Sequence, residues 1–186
     1  QPELIVELGS WKGASAIHMA GLAKAHKPDC RVVCIDTWTA SNKSLWVNPK
    51  FRQTYSRRNG FPTIYWQFLA NVIHAGHRDT ILPLPVTGLC GAEILRHYQV
   101  VADLIYIDAG HSLDDVALDL RCYWPLVRPG GFMVGDDYTD GWPGVHQAVT
   151  QFCAANRLRL MSDKEKWFVQ KPLPPKRPLV PVQRKP

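Results

Sequence analysis

Four short apolar runs, each with an acidic residue at or next to its end, constrain this chain more than any other feature. They are "LIVEL" at 4–8, "RVVCID" at 31–36, "ADLIYID" at 102–108 and "GGFMVGD" at 130–136. A run that stays apolar at successive positions, without polar alternation, belongs to a strand covered on both faces. Helical patterns separate the runs. Residues 13–27 are rich in helix formers and stop before Pro28, and 62–76 place Ile64, Phe68 and Val72 on one face. A short helix is predicted at 91–98, a longer one at 112–124 capped by Ser112, and another at 143–156. "TILPLPV" at 80–86 reads as a strand that its two prolines confine to an edge. "RLRLMS" and "KWFVQK", joined by "DKE", read as an antiparallel hairpin.

Alternating strands and helices make parallel strands with right-handed crossovers. The expected fold is therefore α/β: a Rossmann-like doubly wound sheet, mostly parallel, with one antiparallel strand near the C-terminus. Such sheets bind ligands beyond the carboxyl ends of their strands. Glu7, Asp36, Asp108, Asp136 and Asp137 all fall at such ends.

Composition narrows the class. The 186 residues, 46% hydrophobic and 20% charged, suit one globular domain with a sizeable core. No apolar run approaches a membrane span, and no signal peptide opens the chain, although its abrupt start leaves room for residues before it. Five scattered cysteines suggest buried thiols in a reducing, cytoplasmic compartment, not a disulfide framework or a zinc site. The net charge of +6 hints at nucleic acid, but five basic residues of the acid-free tail 171–186 supply +5 of it, leaving residues 1–170 at +1. We read 1–170 as the domain and 171–186 as a proline-rich basic tail. That tail is either a solvated end, the favoured reading, or an arm along a neighbouring copy in a homo-oligomer. Residues 37–61, with Trp38, Trp46, Phe51 and Tyr55, follow neither a strand nor a helix pattern.

The loop "VELGSWKGAS" after the first strand is the candidate cofactor site. Gly9 permits a tight turn and close approach of a ligand, and Gly13 stands where the helix begins with free N–H groups. Asp36, ending the second strand, is placed to take the two hydroxyls of a ribose. A dinucleotide site needs G-x-G-x-x-G so that pyrophosphate can approach its middle glycine; here Trp11 occupies that place. A nucleoside cofactor without pyrophosphate escapes the constraint. A tight turn with no ligand would leave the same pattern.

With "ELGSWKG", "DTW", "DLIYIDAGHS" and "RPGGFMVGDDY", the chain resembles the class I S-adenosylmethionine (SAM)-dependent methyltransferases over about residues 3–169. It looks closest to the branch of metal-dependent small-molecule and sugar O-methyltransferases. The resemblance implies that Glu7, Gly9, Ser10, Trp11 and Gly13 hold the methionine part of SAM and that Asp36 holds its ribose. Where many members carry an acid or polar pair near the adenine, this chain reads "PVTGLC", so Thr87 is a weak substitute.

Asp108 and the pair Asp136–Asp137 end what should be neighbouring strands, about 4.8 Å apart. Three carboxylates so close would repel, raising at least one pKa, unless a hard divalent cation joined them. Mg2+ fits best, with Mn2+ or Ca2+ as alternatives. The acids could equally cap a turn, and Asp108 could bind only the cofactor. The resemblance implies Asp108, Asp136 and Asp137 as metal ligands and His111 as general base, with Asp108 and His111 the catalytic pair. A capping or merely polar His111 is the alternative.

The expected activity is methyl transfer to a hydroxyl of a small molecule, sugar or natural-product-like. Trp38, Trp46, Tyr138 and Trp142 could wall the substrate or simply pack a lid. Three rivals stand beside this reading. A noncatalytic SAM-binding protein would show no turnover. A nicotinamide-dependent oxidoreductase would bind the other cofactor. A nucleic-acid methyltransferase, disfavoured by the near-neutral body, would bind RNA with steep salt dependence.

Overall fold

The computed structural model describes residues 2–39 and 56–175. Trp46, Phe51, Tyr55 and the tail from Lys176 onward lie outside the described residues. In chain order the elements are β1 (Leu4–Leu8), α1 (Ala14–His26), β2 (Arg31–Ile35), β3 (Arg57–Arg58), β4 (Phe61–Pro62) and α2 (Ile64–His74). They continue with β5 (Ile81–Leu84), α3 (Gly88–His97), β6 (Ala102–Ile107), α4 (Leu113–Tyr123), β7 (Val127–Gly135), α5 (Pro143–Ala155), β8 (Leu160–Asp163) and β9 (Lys166–Gln170).

Seven strands form one sheet in the order β5-β2-β1-β6-β7-β9-β8. β5, β2, β1, β6 and β7 are mutually parallel, and β9 runs against both β7 and β8. The expected doubly wound fold with one antiparallel strand is the fold observed. β5, with Pro83 in it, is the edge strand, where a missing N–H costs no ladder bond.

Both sheet faces are covered, which is why the inner strands read as unbroken apolar runs. Ala16, Ala20 and Ala23 of α1 join Ile64, Phe68 and Val72 of α2 in a core on one face. α3, α4 and α5 send Ala92, Leu95, Leu120, Tyr123 and Val149 into the core on the other. The alanines recur along one side of α1, and their small side chains let the helix lie close to the sheet.

Two boundaries moved from expectation for local reasons. α3 starts at Gly88, three residues early, because Thr87 caps it by accepting the Cys90 N–H at 3.2 Å. That engagement occupies the hydroxyl considered above for adenine. β8 starts at Leu160 and not at 157, because Arg157 has φ +53 and ends the preceding turn. An unpredicted hairpin, β3–β4, turns through Asn59 and Gly60, both with positive φ, the geometry that Asn-Gly favours. Among the described residues no helix is long and apolar enough to cross a membrane. Cys30, Cys34 and Cys153 are buried free thiols, as expected, whereas Cys90 is exposed and Cys122 half-buried.

Two buried acids lie outside the site, Asp103, which pairs with Arg128 and accepts the Glu3 and Leu4 N–H groups, and Asp119. Asp119 of α4 is 9% exposed, and burial, with Asp115 nearby, pushes its carboxyl up to about 7 from 3.8. A carboxyl raised by folding stabilises the native state fully below its unfolded pKa, near 4. That contribution is lost as pH climbs through about 7. Asp119→Asn mimics the protonated form. It is expected to narrow the stability gap between pH 5 and pH 8 by about 2 kcal/mol, with most of its benefit at pH 8. Urea denaturation at the two pH values measures this, and an unchanged gap would show that Asp119 ionises freely.

Candidate active site

β1 lies between β2 and β6, where the chain turns from building one side of the sheet to building the other. This switch point opens a crevice at the carboxyl ends of the strands. The loop 9–13 lies across it. Gly9 donates its N–H to Ile35 O at 2.9 Å, and Asp108 donates its own to Leu8 O at 2.9 Å, so three strand ends are stitched together. Gly9 has φ +82, and a Cβ there would lie 1.9 Å from Asp108 O. Only glycine lets the loop pass so close to β6.

Asp36 shapes this loop. Its Oδ2 accepts the N–H groups of Ser10 (3.1 Å) and Trp11 (3.0 Å), and its Oδ1 accepts that of Trp38 (2.8 Å). A ribose contact by Asp36 would use the acceptor capacity left on these two oxygens. Trp11, at φ +47, takes the Trp38 indole N–H on its carbonyl at 2.8 Å. Trp38 is 3% exposed and packs on Tyr65 and Phe68, so it belongs to the core and forms no substrate wall. Gly13, at φ +88, seats the start of α1 against the Phe68 ring.

Glu7 lies beneath the loop and is fully buried. Burial raises its carboxyl, while Ser10, Ser15 and Cys34 side chains oppose the shift. Its Oε2 accepts the Ser10 hydroxyl at 2.5 Å, and its Oε1 makes no hydrogen bond of good geometry among the described residues. An incompletely satisfied buried carboxyl under a cofactor loop fits a cationic ligand group such as the ammonium of SAM.

The second cluster stands at the ends of β6 and β7. Asp108, His111 and Asp137 each offer one ligand atom, all within 4.8 Å of one another. His111 Nε2 lies 2.5 Å from Asp137 Oδ2 and 3.9 Å from Asp108 Oδ1. Its ring stacks on the Trp142 indole, centroids 4.3 Å apart, and its Nδ1 is buried without a hydrogen bond among the described residues. Burial, then repulsion from Asp136 and Asp137, pushes the Asp108 carboxyl up to about 6. The protein thus assembles more negative charge here than its own cations neutralise. Two carboxylates and an imidazole, oxygen and nitrogen donors, fit a divalent cation.

Asp136 faces elsewhere. Its Oδ2 is ion-paired with Lys166 and accepts the Tyr106 hydroxyl at 3.2 Å; its Oδ1 accepts the Asp137 N–H at 2.9 Å. Burial alone would raise this carboxyl, but the Lys166 and Asp137 hydrogen bonds outweigh it and hold the pKa below the ordinary range. Of the three acids expected to share a cation, Asp108 and Asp137 converge with His111, and Asp136 is turned to Lys166. Lys166 and Tyr106 carried no signal in the sequence, since both sit inside ordinary strand patterns. Tyr138 stacks on His146 and reaches Thr150, so of the four proposed wall aromatics Trp142 is the one seen against the cluster among the described residues.

A parallel sheet with a glycine-hinged loop at its switch point and an acid cluster beside it defines a doubly wound, cofactor-binding α/β enzyme. The sequence profile of a methyltransferase-domain family matches residues 6–138, more than half of the chain, and the protein belongs to that family. This sets aside the nicotinamide oxidoreductase. The O-methyltransferase NovP shares the fold with a TM-score of 0.65 at 21% identity, over 92% of this chain and 72% of NovP. CalS11, a TDP-rhamnose 3'-O-methyltransferase of calicheamicin biosynthesis, matches with a TM-score of 0.63 at 17% identity, over 91% of this chain and 72% of its own. The O-methyltransferase TomG from Streptomyces achromogenes, solved with SAM, matches with a TM-score of 0.62 at 17% identity, over 94% of this chain and 74% of its own. At these identities the likeness is one of fold. No curated protein matches the chain by sequence.

Proposed function

We propose that the protein moves the methyl group of SAM to a hydroxyl of a small molecule, sugar or natural-product-like, with a divalent cation, Mg2+ first among candidates, at the acid cluster. The observation that carries this is the convergence of Asp108, His111 and Asp137 within 4.8 Å, one strand away from the loop 9–13. Family membership and the O-methyltransferase names of the structural neighbours support it.

Glu7, Gly9, Ser10, Trp11 and Gly13 would hold the methionine part of SAM, and Asp36 its ribose. Asp108 and Asp137 would hold the cation. SAM supplies an electrophilic methyl, and a hard cation lowers the cost of deprotonating an alcohol by several kcal/mol. His111, beside Asp108 and Asp137 and outside the pair that would hold the cation, is the candidate to take up the hydroxyl proton. The stack with Trp142 holds the ring plane, so the base is positioned before substrate arrives.

Chelation with EDTA is expected to abolish methylation of hydroxylated acceptors, and Mg2+ to restore it. His111→Ala should lower kcat by about 10²–10⁴-fold with SAM affinity unchanged by calorimetry. Full turnover in chelator would remove the cation from this reading. SAM binding without turnover on any sugar or phenol acceptor would favour the noncatalytic alternative.

A further inference from the structure

We propose that Trp142 is a binding residue for the methyl acceptor: the indole face turned away from His111 takes a second ring of the acceptor, next to the part that carries the reacting hydroxyl. The substrate class is thereby narrowed to molecules of at least two joined parts, as in an aryl glycoside. The inference rests on His111 and the acid cluster as the place of methyl transfer.

The backbone holds Trp142 in place. Pro143 opens α5 and keeps the residue before it, Trp142, out of helical geometry. The Trp142 N–H donates to Thr139 O at 3.1 Å, and its carbonyl accepts the N–H groups of Val145 (3.0 Å) and His146 (3.2 Å). Thr139 in turn donates its N–H to Asp137 O at 2.8 Å, which ties the turn to the acid cluster. The first turn of α5 is also seated on the backbone around His111. A Cβ at Gly144 would lie 2.5 Å from His111 O and 2.7 Å from Leu113 N. The fold therefore builds the stack of Trp142 on His111, which is no chance contact of two surface rings.

The imidazole covers one face of this fixed indole, 4.3 Å away and inclined by 30°. Trp142 is still 44% exposed, and Gly141 beside it has no side chain to cover it. An ordered indole left half bare next to a proton acceptor offers a flat apolar surface that costs little entropy to use. Distance selects what that surface can bind. A ring on the outer face stands two stacking distances from the imidazole, about 8 Å. Hydroxyl groups in the plane of that ring stay out of reach of His111, since proton transfer requires roughly 3 Å. The reacting hydroxyl then belongs to the adjoining part of the acceptor, which rounds the indole edge to reach the cluster.

The test is two-dimensional NMR of the amide and indole N–H groups of the full chain, seven tryptophans among them, with S-adenosylhomocysteine bound. The Trp142 indole signal is assigned by its absence in Trp142→Phe. Phenyl β-D-glucopyranoside is expected to shift that signal saturably. It should bind about tenfold more tightly than methyl β-D-glucopyranoside, which has the same sugar without the second ring. Trp142→Ala, followed through its amide signals, should bring the two affinities within about twofold of each other. Trp142→Phe should keep a gap of about threefold, because it keeps a smaller ring. Trp142→Leu replaces the alanine variant if that one does not fold. Equal affinities of wild type for the two glycosides, a gap that survives in Trp142→Ala, or no saturable shift of the Trp142 signal overturns the inference. Methylation of the same glycosides with SAM and Mg2+ is assayed separately. Its absence beside an intact tenfold gap removes methyl transfer to these hydroxyls and leaves the ring subsite standing.

Discussion

Asp108→Asn is expected to yield a folded protein, at least as stable as wild type at pH 8, whose methyl transfer has fallen by at least about 10²-fold. The carboxyl ends β6 at the switch point, and its backbone is held by the hydrogen bond from its N–H to Leu8 O, which asparagine keeps. What asparagine removes is charge. In wild type that charge is costly: burial and repulsion from the nearby Asp136 and Asp137 push the Asp108 carboxyl up to about 6. A group raised in this way stabilises the fold below about pH 4 and withdraws that help as pH rises through 6. At pH 8 the neutral substitute relieves repulsion, so thermal melting should stay level or rise while kcat/KM collapses. Loss of activity with gain of stability is the signature of a functional charge held against its surroundings. A variant retaining more than a tenth of wild-type kcat/KM, with SAM bound normally, would exclude Asp108 from the chemistry.

Gly9→Ala is expected to destabilise the protein by more than about 4 kcal/mol or to prevent folding. The added Cβ would sit 1.9 Å from Asp108 O and 2.5 Å from its carbonyl carbon, backbone atoms that cannot rotate away. Relief requires prising β1 from β6, at the centre of the sheet, or rotating Gly9 out of φ +82 and breaking its bond to Ile35 O. Gly60→Ala is the internal control. It shares a positive φ of +84 but meets nothing within 4 Å, so it should cost only the left-handed strain of about 1–2 kcal/mol. Soluble yield and thermal melts of the two variants separate close approach from strain. Equal melting temperatures would show that the loop is not tightly seated on β6.

Much of the architecture was legible because burial on both faces leaves a strong trace. β1, β2 and β6 show no polar alternation, so they could be placed in the middle of a parallel sheet before any coordinate was known. Pro83 in a short run marked the edge strand for an equally local reason, its missing N–H. The Asn59-Gly60 hairpin was also legible in principle, since the dipeptide favours that turn, but the polar and aromatic composition around it masked the signal. The start of α3 was missed because a lone threonine cap is a weak local cue.

The site divides in the same way. That acids gather at the carboxyl ends of β1, β2, β6 and β7 is a property of the sequence alone, because where an apolar strand stops is written in its own residues. Which acids face one another was decided only in three dimensions. Asp136 and Asp137 are indistinguishable as neighbours in the chain, and they part company because β9 returns antiparallel and its register carries Lys166 to one of them. Trp38 looked like a cleft aromatic and became core, because Trp11 and the rings of α2 close around it. Local chemistry therefore set the strands, the glycine hinge and the crop of carboxylates, while the pairing of distant strands chose which of those carboxylates faces His111 and which faces Lys166. Side-chain direction at a strand end depends on the strand laid beside it, and that neighbour lies thirty residues further along the chain.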